Sequence, residues 1–186
     1  MMDFTDTHQL ITAILDGSQE ATEQLIQNHQ AGVYRLALSI LDDPAEASEA
    51  AQDVFLAAVN GLDSYQHLTS FKAWLYTITV NTCRSRLRKA KARLNLKNRL
   101  QNVSRIEAQG IPTPEEQAIR DEKDAVLWKA IGRLSDRHRI PLVLRYFNDF
   151  SISEIAEILG LPEGTIHSRL HIARERLRLA LEKERD

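Results

Sequence analysis

The stretch SISEIAEILGLPEGTIHSRLHIARERLRLAL, from Ser151 to Leu181, leaves few architectures open. Ser151 and Glu154 form a capping box, which starts a helix by returning hydrogen bonds to otherwise unpaired N–H groups. Ile155 and Leu159 give that helix an apolar stripe, and Ala156 is small enough for a second helix to cross closely. Gly160 tolerates the positive φ that a tight turn demands, and LPEG restarts a helix with Pro162 near its first turn. The second helix sends Ile166, Leu170, Ala173 and Leu177 inward and His167, Ser168, His171, Arg174 and Arg178 outward. Two helices joined in this way make a helix-turn-helix, whose outward row carries donors suited to base edges and phosphates in a major groove. The competing reading is an amphipathic surface helix of any α-helical protein. A metal site at His167 and His171 would need two more ligands. The nearest are Glu163 and Glu175, on neighbouring faces, so no metal is expected.

Helix signals also fill the rest of the chain, and strand patterns are nearly absent. After Ser18, the positions Ala21, Leu25, Ile26, His29, Val33, Leu36, Ala37 and Ile40 recur at helical spacing, with Gly32 weakening the middle. Asp43 reads as the N-cap of a second helix, Pro44 as its first residue, Glu46 as the completion of the cap and Gly61 as its end. A polar connection then leads to a third helix with Phe71, Trp74, Leu75, Ile78 and Leu87 inward and its basic residues outward. From about Asn95 the apolar stripe is lost, and Gly110, Pro112 and Pro114 gather as linker punctuation. Thr113, Pro114 and Glu116 form another capping box, opening a helix that carries Ala118, Val126, Leu127 and Ile131. Pro141 predicts a kink or a late start in DRHRIPLVLRYFN. The expected fold is all-α: two small helical domains, residues 1–96 and 114–186, joined by a linker at 97–113.

A formal net charge of −2 conceals a strong polarity. Residues 1–63 hold eleven acidic residues and one basic residue, Arg35, whereas residues 71–105 hold ten basic residues and no acidic ones. A run of one sign is either a solvated helix face or a polyanion site, and the acidic segment needs a different partner because phosphate would repel it. The single cysteine, Cys83, excludes an intramolecular disulfide, and no zinc-finger spacing is present, which fits a reducing cytosol. The segment MMDFTDTHQL has no basic region followed by an apolar core. No stretch approaches the roughly 18 continuous apolar residues of a membrane span. A cytoplasmic protein without membrane insertion is expected.

LSDRHRIPLVLRYFNDFSISEIAEILGLPEGTIHSRLHIARERL resembles region 4 of the bacterial sigma-70 family, in particular the small two-domain group of extracytoplasmic-function (ECF) sigma factors. AEASEAAQDVFLAAV resembles their region 2.2 and SFKAWLYTITVNTCRSRLRKA their regions 2.3 and 2.4, in the family's order, so that the resemblance spans about residues 18–181. It implies a dissociable, non-enzymatic subunit without a cofactor that directs core RNA polymerase to promoter DNA. The β′ clamp helices and the β flap would be its contacts on the polymerase, and an anti-sigma factor a further partner.

By this resemblance, Glu46, Glu49, Gln52, Asp53 and Phe55 dock on the polymerase, although Phe55 reads equally well as core. Asn81 contacts an extruded base of the minus-10 element, the loop 63–70 completes that pocket, and Arg84, Arg86, Arg88 and Lys89 hold phosphates. Trp74 and Tyr76 are stacking candidates, with core the favoured place for Trp74. His167, Ser168, His171 and Ile172 read the minus-35 element, with Arg169, Arg174 and Arg178 alongside. The chain departs from the family pattern at three of these positions. Many members carry Lys or Arg where His167 stands, some carry Arg at Ile172, and Asp53 replaces the usual Glu. Neutral His is a weaker phosphate partner than Arg, so the preferred promoter sequence does not transfer from a relative. Two alternatives stay open on sequence grounds. One is a helix-turn-helix regulator that binds duplex DNA without acting as a polymerase subunit. The other is a helical interaction protein whose acidic and basic blocks pair with each other.

Overall fold

The structure, a computed structural model, describes residues 7–65, 70–100 and 122–183. Among them every regular element is helical: α1 (Thr7–Leu15), α2 (Gln19–Leu41), α3 (Pro44–Gly61), a 3-10 turn (Leu62–Ser64), α4 (Phe71–Leu100), α5 (Glu122–Gly132), α6 (Asp136–Phe147), α7 (Ile152–Leu159) and α8 (Glu163–Lys183). The N-caps fall where the side-chain chemistry demands. The Ser18 hydroxyl accepts from the Ala21 N–H at 3.2 Å and the Asp43 carboxylate from the Glu46 N–H at 2.9 Å. Glu46 does not complete its cap, because its carboxylate is drawn to Arg86 on α4. Leu25, Val33, Leu36, Val54, Leu75 and Val80 lie fully buried where α2, α3 and α4 meet. Cys83 is buried with them, and burial pushes its thiol up to about 12, so it packs as an unreactive small apolar group.

In the second half, α6, α7 and α8 pack on one another around Leu142, Leu144, Ile155, Ile166 and Leu170. Both halves of the capping box form: the Glu154 N–H donates to the Ser151 hydroxyl at 3.2 Å, and the Ser151 N–H to Glu154 Oε2 at 2.8 Å. Gly160 takes φ 63° and ψ 43°, the left-handed geometry that turns α7 into α8. Ser151→Ala removes one half of the box and is expected to lower stability by about 1 kcal/mol. A urea titration checks this, and an unchanged midpoint would show that the cap contributes nothing.

Of the kink or late start expected at Pro141, the late start does not occur. The helix begins well before it, because the Ser135 carbonyl accepts from both the His138 and the Arg139 N–H at 2.8 and 2.9 Å. Helix α4 continues through Leu100, past the expected domain end at 96. The remainder of the expected linker and the Thr113 capping box lie outside the described residues.

The two halves are packed together, and Gly32 of α2 lies beside one of the contacts between them. A Cβ there would come within 2.0 Å of the Tyr76 hydroxyl oxygen and 3.2 Å of Asn148 Oδ1. That hydroxyl, on α4, donates to Asn148 Oδ1 at 2.7 Å, and the Asn148 amide donates to the Val143 carbonyl at 3.2 Å. Lys72 donates to the Asn148 carbonyl and lies 4.7 Å from the centre of the Phe150 ring. Tyr76 and Phe150 meet edge to face at 4.9 Å, and Arg139 reaches the Ile40 carbonyl at 3.4 Å. The glycine that weakens α2 as a helix leaves room for the Tyr76–Asn148 bond that joins the halves.

Candidate functional site

Three surfaces carry the residues singled out by the sequence. The first is the outer face of α3. Glu46, Glu49, Gln52 and Asp53 are exposed there, while Phe55 is turned to the core and only 7% exposed. Its neighbour Leu56 is 64% exposed. Being four residues beyond Gln52 and three beyond Asp53, it shares their helix face. Leu56 was not singled out by sequence. The available signal was its position out of phase with the buried stripe Ala47, Ala50, Val54 and Ala58.

The second surface is the middle of α4. Asn81 and Arg88 are exposed and Arg84 is partly so, and their spacing puts the three on one side of the helix. Lys89 is exposed beside them. Burial, and then the charge of Arg169 on α8, hold the Arg84 guanidinium below its ordinary range, so the two arginines are electrostatic neighbours across the halves. Arg86 faces elsewhere. Its Nη1 donates to Glu46 Oε2 at 2.8 Å and to Glu49 Oε2 at 3.2 Å, and its Nη2 and Nε donate to Asp53 Oδ2 at 2.6 and 3.2 Å. These bonds, led by that to Asp53, push the guanidinium above its usual range.

Residues 66–69 of the loop expected to complete the minus-10 pocket lie outside the described residues. Next to them a cavity of about 350 Å³ opens between α1, α2 and the start of α4, lined in part by Ile11, His29, Tyr65, Ser70 and Phe71. Trp74 is half-buried, with its ring centre 5.2 Å from that of Tyr65 and 5.6 Å from that of Phe71. Tyr76 is 2% exposed and committed to Asn148, so it presents no face to a base.

The third surface is α8. His167, Ser168, His171, Ile172, Arg174 and Arg178 are exposed along it, with Arg169 partly buried. Arg178 pairs with Glu175 at 3.4 Å and Glu182 at 2.8 Å on its own helix. An open cavity of about 480 Å³ beside this row is lined by Ser168, Arg169 and Ile172 together with Arg137, His138 and Arg176. Burial, then Arg176, Arg137 and Arg169 in that order, keep the His138 imidazole below its usual pKa, so the groove is positive without a charge on the histidine. Arg137 was not evident from sequence, because nothing local joins α6 to α8, and Arg176, on α8 itself, was not singled out.

Comparison with known proteins matches residues 25–93 to Sigma-70 region 2 and residues 124–177 to Sigma-70, region 4. The ECF RNA polymerase sigma factor SigW of Bacillus subtilis is 32% identical over 92% of this chain and 94% of its own length. The chain belongs to the sigma-70 family. It is an ECF sigma factor, a non-enzymatic initiation factor that directs RNA polymerase to promoters. The RNA polymerase sigma-H factor of Pseudomonas aeruginosa is 30% identical over 94% of this chain and 93% of that one. Among solved structures, the sigma factor RpoE in complex with the anti-sigma factor NepR from Bartonella quintana superposes with a TM-score of 0.71 at 28% identity, covering 86% of this chain and 96% of that one. CnrH in complex with the cytosolic domain of CnrY gives 0.67 at 26% identity, over 94% and 96% of the two chains. Two family regions in order favour the polymerase subunit over a free-standing helix-turn-helix regulator. No helix among the described residues is long and apolar enough to cross a membrane.

Proposed function

We propose that this sigma factor divides promoter-directed initiation among its three surfaces. The outer face of α3, with Glu46, Glu49, Gln52, Asp53 and Leu56, docks on the β′ clamp helices of core polymerase. Asn81 and the loop 63–70 take an extruded minus-10 base, while Arg84, Arg88 and Lys89 neutralise phosphates of the melted strands. On α8, His167, Ser168, His171 and Ile172 read the minus-35 element, with Arg169, Arg174 and Arg178 on the flanking backbone and the second half seated on the β flap. A protein anti-sigma factor holds the subunit inactive in the cytoplasm, a reading supported by the RpoE–NepR and CnrH–CnrY complexes.

The observation that carries this division is the segregation of charge by element: α3 presents carboxylates, and α4 and α8 present guanidinium, amide and imidazole donors. DNA and polymerase can then engage different faces at once. Run-off transcription with core polymerase on promoter templates tests the proposal. Promoter-dependent transcripts that require this chain are expected, and their absence from every template selected by the holoenzyme would refute it.

A further inference from the structure

Arg86 belongs by sequence to the basic block, yet its guanidinium lies against three acids of α3. Its side chain is 22% exposed, whereas those of Glu46, Glu49 and Asp53 are 53%, 67% and 53% exposed, so the arginine sits beneath the carboxylates rather than above them. It takes Oε2 of Glu46, Oε2 of Glu49 and Oδ2 of Asp53. One oxygen of each carboxylate remains for an incoming donor.

The three acids stand at i, i+3 and i+7 on one helix face, where like charges repel and each side chain otherwise samples several rotamers. A single planar fork bonded to all three counters the repulsion and restricts the rotamers together. An isolated exposed ion pair adds little to stability. The consequence of fixing three carboxylates at once is a preorganised array, which lowers the ordering cost of binding.

We propose that Arg86 is a positioning residue for polymerase docking: it holds Glu46, Glu49 and Asp53 as one array for basic side chains of the partner, and it does not contact promoter phosphate. The proposal rests on α3 being the docking face. It separates cleanly from two simpler roles. A residue that merely offsets negative charge would, on removal, leave α3 more acidic and strengthen its attraction for a basic partner. A phosphate contact would, on removal, flatten the salt dependence of promoter binding.

The test uses the full-length chain with Arg86→Ala, Arg86→Lys, Asp53→Asn, Glu49→Gln and Arg88→Ala. Core-polymerase affinity is read by fluorescence titration, and the salt slope is read on promoter DNA with holoenzyme formed at saturating core. Arg86→Ala is expected to weaken core binding about tenfold. Arg86→Lys should fall between it and wild type, because a single ammonium cannot span three carboxylates, and it carries the test if the alanine variant does not fold. In the Arg86→Ala background, Asp53→Asn should cost less than in wild type, which a purely structural role would not produce. The salt slope should stay unchanged in Arg86→Ala and fall by about 0.7, the single-strand value, in Arg88→Ala. Equal or tighter core binding by Arg86→Ala, or a lowered salt slope, overturns the proposal. If Asp53→Asn and Glu49→Gln leave core affinity untouched, the docking role of α3 itself fails. If they weaken it while Arg86→Ala does not, the assignment of Arg86 alone is lost.

Discussion

Gly32→Leu is expected to release the two halves of the protein from each other. The substitution suits an isolated helix, where leucine is favoured over glycine by somewhat under 1 kcal/mol. Tertiary packing reverses the sign. The first added carbon would lie 2.0 Å from the Tyr76 hydroxyl oxygen, far inside contact distance. Tyr76 has nowhere to retreat, being 2% exposed with its ring 4.9 Å from that of Phe150. Burial pushes its phenol up to about 12, so it is a committed donor to Asn148 at neutral pH. Displacing it strands a buried amide oxygen, which costs about 1–3 kcal/mol, and opens the aromatic contact for about 1 kcal/mol more. Wild type should unfold as one cooperative unit, and Gly32→Leu in two steps with the α6–α8 half melting first. Tyr76→Phe, which keeps the ring, should show a smaller loss. Calorimetry giving one unshifted transition for Gly32→Leu would mean that this contact does not couple the halves.

Elements set by neighbours along the chain are legible in the sequence itself. The Ser151–Glu154 box, the Gly160 turn and the caps at Ser18 and Asp43 rest on hydrogen bonds between residues no more than five apart, and each is evident from residue type and spacing. The order of the helices, the helix-turn-helix and the exposure of His167, Ser168 and His171 follow from the same local grammar. What escapes depends on residues far along the chain. Gly32 reads as a defect because Tyr76 and Asn148 are remote in sequence. Glu46 reads as half of a cap because nothing local shows that Arg86, forty residues on, claims its carboxylate. Arg86 itself reads like its basic neighbours, since the hydrophobic pattern of α4 does not fix which way an off-stripe arginine turns. Of the two alternatives to a sigma factor, one holds a grain of the geometry: the acidic and basic blocks do meet, through Arg86.

Leu56→Asp is expected to weaken core-polymerase binding by about a hundredfold while leaving the fold intact. Sequence alone divides the adjacent pair Phe55 and Leu56 poorly, because both are apolar and sit near the middle of one helix. Burial separates the two: Phe55 is 7% and Leu56 64% exposed. An exposed leucine between Gln52, Asp53 and solvent contributes almost nothing to stability, so its replacement should shift stability by no more than about 0.5 kcal/mol. Buried at a docking interface, the same side chain contributes about 1.5–3 kcal/mol, and a carboxylate in its place adds a desolvation cost. Phe55→Ala should show the converse, losing about 3–5 kcal/mol of stability and affecting polymerase affinity only as far as it unfolds the domain. Measuring melting and core affinity for both variants decides between them. If Leu56→Asp keeps full affinity, the polymerase does not cover this part of α3, and the acidic array beside it must bind through its rim alone.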